Sequence, residues 1–245
     1  GNASLGSMSR DQLQRAFVLH RRDYANSSLL LEVFSADHGR LPLIARGAKG
    51  AARGRVAQAA LLQPFQPLWL TWTGRGEVRT LTRAEAAGRA LPLIGDALYC
   101  GLYVNELLLR MLGRQDAHES LFVAYQQALA ELGEHDQLGR VLRRFELTLL
   151  SELGWQPDLC QEAGGAAIEA DRYYVYDPEQ GLRPAISPQA GAAISGETLR
   201  RLAADAPLGE LHAREARTLL RAMLTPHLGE RPLKSRELFR RRAGR

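Results

Sequence analysis

Ser28-Leu29-Leu30-Leu31-Glu32-Val33-Phe34 is a short apolar segment that ends before a turn at Asp37-His38-Gly39, and residues 40–45 form a second segment of this kind. Short apolar segments between turn residues predict β-strands. Three more such segments flank this pair, at residues 14–20, 61–71 and 77–85. Pro64 and Pro67 indicate that the fourth strand starts late or lies at an edge. Five short strands at this spacing favour a small closed barrel of the OB type, with an SH3-like barrel as the alternative.

The apolar period changes after residue 84 from that of strands to that of helices. Helices are predicted at residues 94–112, 120–132, 138–153, 196–204, 211–224 and 234–241, with Pro226 and Pro232 separating the last two. Residues 155–188 predict an irregular module with a short hairpin. The chain is therefore expected to be an α+β protein, with an N-terminal five-stranded OB-type β-barrel followed by a mainly α-helical domain. The expected divisions are residues 1–7 (an expression scar ahead of Met8), 8–86 (OB-fold domain), 87–154 and 195–245 (helical domain) and 155–194 (an insert that contains the irregular module).

The composition is that of an ordinary globular chain, since 45% of its 245 residues are hydrophobic and 24% are charged. No apolar run reaches the ~18 residues of a membrane span, and no signal-peptide pattern precedes Met8. The two cysteines, Cys100 and Cys160, have no short-range partner, which predicts a protein of the reducing cytoplasm. The net charge of +5 comes almost wholly from arginine and indicates an anionic partner.

Known catalytic motifs are missing from the sequence. There is no phosphate-binding loop ending in Lys-Ser/Thr, no His-Glu-x-x-His and no Gly-x-Ser-x-Gly. Gly74-Arg75-Gly76 lacks the third glycine of a dinucleotide fingerprint and is interpreted as a hairpin turn. The six histidines are scattered, without the spacing of metal ligands. We therefore expect neither an enzymatic activity nor a cofactor.

Cations gather in the predicted barrel. Glu77 is the single carboxylate among the cations of residues 40–79, and the loop at residues 47–55 is too rich in Gly, Ala and Arg to pack. OB folds bind single strands with such a basic groove and with aromatic stacking platforms, for which Trp72 is the favoured candidate. The predicted nucleic-acid-binding residues are Arg15, Arg21, Arg22, Arg40, Arg46, Lys49, Arg53, Arg55, Trp72, Arg75 and Arg79, with Lys234 and Arg236 in a C-terminal cluster.

Three alternatives stay open at this point. Phe65 and Trp69 fit positions in the barrel core as well as they fit stacking positions. The C-terminal basic cluster fits a solvated tail equally well. A protein-binding adaptor of OB fold, with incidental basic charge, would also show this composition.

Several blocks of the sequence resemble the RecO family of bacterial recombination mediators. They are Gln14-Arg15-Ala16-Phe17-Val18-Leu19-His20, Leu62-Gln63-Pro64-Phe65, Gly74-Arg75-Gly76-Glu77-Val78, Leu98-Tyr99-Cys100-Gly101-Leu102-Tyr103-Val104-Asn105-Glu106-Leu107-Leu108, Leu142-Arg143-Arg144-Phe145-Glu146-Leu147 and Pro232-Leu233-Lys234-Ser235-Arg236-Glu237-Leu238-Phe239. The resemblance implies a nucleoid-associated protein that binds single- and double-stranded DNA and anneals complementary strands without ATP. It also implies loading of recombinase, jointly with RecR, onto strands coated by single-stranded-DNA-binding protein.

Many members of this family carry a four-cysteine zinc module after the helical domain. The resemblance therefore implies that residues 155–194 form a degenerate, metal-free zinc-finger-like insert, which we call the finger-like insert. In this chain Cys160 keeps the first cysteine, Ala163 stands at the second position, and residues 168–188 contain no second pair. One thiolate cannot hold a tetrahedral zinc ion, so no metal is predicted. Packing of Tyr and Trp side chains is expected to hold the module instead.

The resemblance further implies that the acidic C-terminal tail of single-stranded-DNA-binding protein docks on the helical domain. Such a tail ends in an apolar side chain and a free carboxylate, which require a hydrophobic dimple beside an arginine. The expected tail-binding residues are Arg143, Arg144 and Phe145, with Leu107 or Leu108 lining the dimple. Because successive helical residues point ~100° apart, only one arginine is expected to serve, and the resemblance favours Arg143. The alternative is that both arginines form surface ion pairs with nearby glutamates.

Overall fold

A computed structural model of the chain describes residues 13–50, 58–134 and 136–243. The chain divides into two compact units, of which the first comprises Gly1–Gly133 with Leu238–Arg245 and the second comprises Glu134–Glu237. The first unit contains the β-barrel and two helices, and the second contains further helices around a small sheet. The divisions expected from the sequence follow the change from strands to helices rather than this partition, and they stay a prediction.

Five strands form a closed barrel in the first unit: β1 (Gln14–Tyr24), β2 (Ser28–Ser35), β3 (Gly39–Ala45), β4 (Leu68–Thr73) and β5 (Arg79–Ala86). Their order around the barrel is β1-β2-β3-β5-β4, and β4 closes onto β1. Neighbouring strands are antiparallel except β3 and β5, which run parallel. This is the five-stranded OB arrangement, so the predicted OB-type barrel within an α+β fold is confirmed.

Alternation along β2 explains how this sequence fills the barrel. Leu29, Leu31 and Val33 are buried in the core cluster, while Leu30 and Glu32 on the opposite face are half-buried. Successive side chains of a strand point to opposite faces, so a shift of one residue would move the apolar set out of the core. The apolar pattern of β2 therefore determines which face of the strand is inside.

Two strand limits differ from the sequence-based prediction. β4 begins at Leu68, later than predicted, because Pro64 and Pro67 have no N–H to donate to a ladder. β1 runs further than predicted, to Tyr24, because its last residues keep their pairing with β2. The proline signal was therefore the better guide to the start of β4 than the apolar run alone.

Helices α1 (Gly95–Met111) and α2 (Glu119–Gly133) complete the described elements of the first unit up to Gly133. Four aromatic rings join α2 to the barrel: Phe17 of β1, Phe34 of β2, and Phe122 and Tyr125 of α2, with centroids 5.1–5.9 Å apart. Edge-to-face and tilted pairs of this kind add stability beyond the area that they bury. The helices of this unit are therefore packed against the barrel wall.

Asn105 of α1 is buried among these elements and bonds to two of them. Its Nδ2 donates to the Leu19 carbonyl at 3.1 Å, and its Oδ1 accepts from the Tyr125 hydroxyl at 2.6 Å. Burial raises the pKa of Tyr125, so its hydroxyl stays protonated and remains a donor, although the bond to Asn105 acts in the opposite direction. Asn105 thus ties β1, α1 and α2 together through one amide.

The second unit contains α3 (Leu138–Glu152), a sheet of β6 (Tyr173–Asp177), β7 (Gly181–Pro184) and β8 (Ile194–Ser195), then α4 (Gly196–Ala203) and α5 (Glu210–Leu228). The sheet order is β7-β6-β8, so the predicted hairpin is present and gains a third, two-residue strand. The last helix, α6 (Lys234–Ala243), begins in this unit. Within the described residues, no helix combines the length and the apolar character that crossing a membrane requires.

The helix α5 continues through Pro226 to Leu228, so the expectation that Pro226 separates the last two helices is wrong. Pro226 lies in the last turn, where its missing N–H removes only one bond near the helix end. Gly229, with a φ of +72°, follows as the C-cap residue. Proline near a helix end therefore does not mark the end itself.

Candidate functional site

Three exposed cations lie at one end of the barrel, and we call Arg22, Arg46 and Lys49 the cationic corner. Arg22 is near the end of β1, while Arg46 and Lys49 follow β3. The Lys49 N–H donates to the Ser27 carbonyl at 2.9 Å and its Nζ lies 3.3 Å from Asp23, which joins this segment to the β1–β2 turn. The barrel topology therefore gathers cations that are distant in sequence.

Arg75 and Trp72 lie at the β4–β5 connection. Arg75 is exposed, whereas Trp72 is half-buried against the barrel core and meets His38 edge to face, with ring centroids 5.4 Å apart. Only part of the Trp72 ring is thus available to a nucleobase. Phe65 is buried, with its ring beside Gly101 of α1, so it is not in an exposed stacking position, and Trp69 is half-buried.

Two of the predicted DNA-binding arginines are engaged in holding the barrel together. Arg21 donates from Nη1 to the carbonyls of Ala59 and Leu62, at 2.6 and 3.1 Å. Arg40 donates from Nε and Nη2 to the Leu112 carbonyl, at 3.1 and 2.9 Å. Their guanidinium groups satisfy backbone acceptors of the first unit, so part of their hydrogen-bonding capacity serves the fold. A role of Arg21 and Arg40 in DNA binding stays a prediction.

Two further arginines of the predicted set also have partners within the unit. Arg15 donates from Nη2 to Gln126 Oε1 at 2.6 Å and stands over the Phe122 ring. Arg79 is half-buried, and its Nη2 lies 3.5 Å from Gln115 Oε1. Both remain near the surface, but less of each side chain is free than the sequence implied.

The remaining members of the predicted DNA-binding set cannot be placed on the same surface. Arg53 and Arg55 lie outside the described residues. Lys234 is exposed and Arg236 half-buried on α6, within the second unit. A role of these four residues in DNA binding stays a prediction.

The second unit contains an open cavity of about 440 Å³, between α3 and the segment around the end of α4. Its charged lining residues are Arg140, Arg143, Arg144, Arg201, Glu152 and Asp205. Its larger apolar lining residues are Leu147, Leu159, Leu202 and Leu208. Four guanidinium groups against two carboxylates, beside apolar surface, suit an anion that is attached to an apolar group.

The cavity arginines differ in what they bind. Arg140 Nε and Arg144 Nε donate to opposite carboxylate oxygens of Asp205, at 3.4 and 3.1 Å. Arg143 makes neither a hydrogen bond nor an ion pair with any residue that the structure describes. Burial lowers the pKa of Arg143, and nearby arginines add to this effect against the attraction of carboxylates. Arg143 is therefore a partly desolvated cation that an anionic ligand would stabilise.

The structure corrects part of the predicted tail-binding set. Leu107 and Leu108 are fully buried on α1 and Phe145 is 2% exposed, so none of them lines an open dimple. Arg143 and Arg144 both line the cavity, although only one was expected to face a ligand. The apolar lining comes instead from Leu147, Leu159, Leu202 and Leu208. The periodicity of a helical sequence does not show which of its apolar residues line a cavity.

The finger-like insert does not have the residues of a zinc site. Cys160 is exposed, and at the place of the second cysteine Ala163 donates its N–H to the Leu182 carbonyl at 2.6 Å. No group of three or more potential metal ligands occurs within the ranges that the structure covers. Tyr174 is buried and its hydroxyl accepts from the Glu169 N–H, whereas Trp155 is exposed and stacks on His227 outside the insert's sheet. A buried tyrosine and backbone hydrogen bonds contribute to holding this module, and the absence of a metal from it stays a prediction.

Purified protein is expected to contain no stoichiometric zinc, because one thiolate cannot supply a tetrahedral site. Elemental analysis of the protein as isolated, and again after incubation with zinc and desalting, measures this directly. A zinc-to-protein ratio near one in the desalted sample would contradict the prediction.

A closed barrel of OB topology with exposed cations at its rim is an architecture that many nucleic-acid-binding proteins share. The sequence comparisons identify the family. The family models described as Recombination protein O N terminal and Recombination protein O C terminal match residues 8–89 and 95–237. The chain belongs to the RecO family.

Individual relatives cover nearly the whole chain. A DNA repair protein RecO of Methylococcus capsulatus is 46% identical over 237 residues, which are 96% of this chain and 96% of that protein. The DNA repair protein RecO of Nitrosococcus oceani is 46% identical over 229 residues, 93% of this chain and 92% of that protein. That of Ralstonia nicotianae is 42% identical over 228 residues, 92% and 83% of the respective chains. The family is one of DNA repair and recombination proteins.

Proposed function

We propose that this chain is a non-enzymatic mediator of DNA repair and homologous recombination. It binds single- and double-stranded DNA, anneals complementary strands without ATP, and, with RecR, helps to load recombinase onto strands coated by single-stranded-DNA-binding protein. It acts at the nucleoid in the bacterial cytoplasm. The observation that carries the proposal is the cationic corner on a barrel of OB topology, in a chain of the RecO family.

The cationic corner supports DNA binding through its unpaired charge. Arg22 and Arg46 are exposed and have no partner among the described residues, and Lys49 pairs only with the exposed Asp23. Cations without internal partners can neutralise phosphates and release counterions, which gives affinity without sequence preference. A protein that anneals any complementary pair of strands needs binding of this kind.

The cavity beside α3 supports recruitment by single-stranded-DNA-binding protein. Arg143 offers a guanidinium to a terminal carboxylate, and Leu147, one helical turn further, offers apolar contact to the last side chain. Leu208 widens the apolar lining. An acidic peptide tail that ends in an apolar residue matches both features, so we assign the tail to this cavity.

DNA binding is tested by replacing the cationic corner as a whole, with Arg22→Gln, Arg46→Gln and Lys49→Gln combined. Fluorescence anisotropy with a labelled oligothymidylate, across a salt titration, measures affinity and its salt slope. The wild type should show log affinity falling linearly with log salt. Because each single-strand phosphate contact contributes about 0.7 to that slope, the triple variant should have a slope shallower by about 2.

Arg83→Gln is the matched control, because Arg83 is an exposed barrel arginine that already pairs with Glu85. It should leave the salt slope unchanged. An unchanged slope in the triple variant would remove the cationic corner from the proposal. A flat salt response of the wild type would instead favour the adaptor function.

A further inference from the structure

We propose that Asp205 determines the ligand selectivity of the cavity beside α3. By holding Arg140 and Arg144, its carboxylate leaves Arg143 to bind a single carboxylate, so that the cavity accepts a peptide terminus and rejects polyanions. This inference rests on the tail-binding function proposed above, and it adds a residue that works by occupying cations rather than by touching the peptide.

Asp205 is fixed in position by its backbone as well as by its side chain. Its N–H donates to the Leu202 carbonyl at 3.2 Å at the end of α4, and its own carbonyl accepts from Arg140 Nη2 at 2.7 Å. Its φ of +49° lies in the left-handed region, which Asp and Asn tolerate better than other side chains. The carboxylate is therefore a built-in ligand of the two arginines.

The other arginine of the cavity is engaged as well. Arg201 donates from Nε to Glu197 at 2.7 Å and from Nη1 to the Pro207 carbonyl at 3.0 Å. Among the cavity arginines that the structure describes, only Arg143 makes neither a hydrogen bond nor an ion pair, and Glu146 and Asp205 act on it through longer-range attraction alone. A polyanion gains affinity by neutralising several cations at once. A cavity in which only one guanidinium lacks a bonded partner therefore gives a polyanion little extra affinity. A peptide terminus needs only one guanidinium together with the apolar lining.

The Asp205→Asn variant tests this role, because asparagine keeps the size and tolerates the left-handed backbone while removing the charge. Isothermal titration with inorganic tripolyphosphate should show binding about tenfold tighter than in the wild type, since the Asp205 carboxylate no longer neutralises the charges of Arg140 and Arg144. The affinity for the acidic tail peptide should change by less than about threefold, because the peptide binds through Arg143. Adding Arg144→Ala to the variant should reverse most of the gain for tripolyphosphate.

Asp171→Asn is the control, since Asp171 is an exposed carboxylate outside the cavity and its replacement changes the net charge equally. A gain of the same size in this control, or no gain in Asp205→Asn, would overturn the inference. Loss of peptide binding in Asp205→Asn at an unchanged melting temperature would also overturn the inference. That result would show that Asp205 orients the arginines for the peptide. Failure of the wild type to bind the peptide would refute the tail-binding function itself. The tripolyphosphate titration does not require peptide binding, so the two failures can be told apart.

Discussion

Replacing Arg143 with alanine is expected to weaken the binding of the acidic C-terminal tail peptide of single-stranded-DNA-binding protein by about 10- to 100-fold. A hydrogen bond between two charged groups contributes about 1.5–3 kcal/mol, and each 1.4 kcal/mol corresponds to a factor of ten in affinity. Arg143 is partly buried and makes neither a hydrogen bond nor an ion pair with the described residues, so no internal bond has to be broken when the carboxylate binds. The whole free energy of the bond between Arg143 and the peptide carboxylate should therefore contribute to the binding affinity.

Titration of a labelled tail peptide into the full chain measures this loss. Arg183→Ala is the matched control, because Arg183 is exposed and pairs with Asp177 in the β6–β7 hairpin. A peptide with an amidated C-terminus should bind the wild type about as weakly as the free peptide binds Arg143→Ala. Affinity for naked single-stranded DNA should stay unchanged in Arg143→Ala. Equal loss of peptide and DNA binding, or loss of neither, would assign Arg143 another role.

The barrel could be predicted from the sequence because its signals are local. The apolar spacing of β2 and the turn at Asp37-His38-Gly39 lie within a dozen residues, and strand alternation acts over the same distance. The proline positions before β4 were informative for the same reason. What local patterns do not give is the order of strands around the barrel, which here includes a parallel pair between β3 and β5.

The role of each arginine was less predictable, because the partners of a long side chain are set by tertiary packing. Arg40 donates to the carbonyl of Leu112, which is 72 residues away, and Arg21 reaches Leu62. Neither partner is visible from neighbouring sequence. Composition therefore identified a basic barrel correctly, while it could not separate arginines that hold the fold from those left for a ligand.

The cavity in the second unit likewise combines features that local sequence predicts with features that only tertiary packing sets. Arg143 and Leu147 share a helix face by spacing alone, and that much follows from the sequence. Asp205 is distant in the chain and joins the cavity only because the turn after α4 brings it there. Leu107 was misassigned because a helical apolar period does not distinguish a fully buried residue from one that lines a groove.

Replacing Asn105 with leucine is expected to lower the free energy of unfolding by about 2–4 kcal/mol. The side chain of Asn105 is 2% exposed, and its loss leaves the Leu19 carbonyl and the Tyr125 hydroxyl buried without their partner. Each stranded polar group costs about 1–3 kcal/mol, and leucine regains some of this through apolar contact. Urea denaturation of the full chain, followed by circular dichroism, measures the change.

Tyr125→Phe separates the hydrogen bonds from the packing, because it removes the hydroxyl and keeps the ring among Phe17, Phe34 and Phe122. Alone it should cost about 1 kcal/mol. Combined with Asn105→Leu it should cost less than the sum of the two changes, since the double variant no longer strands a buried hydroxyl. Strict additivity, or a change below about 0.5 kcal/mol for Asn105→Leu, would show that the amide is not what joins β1, α1 and α2.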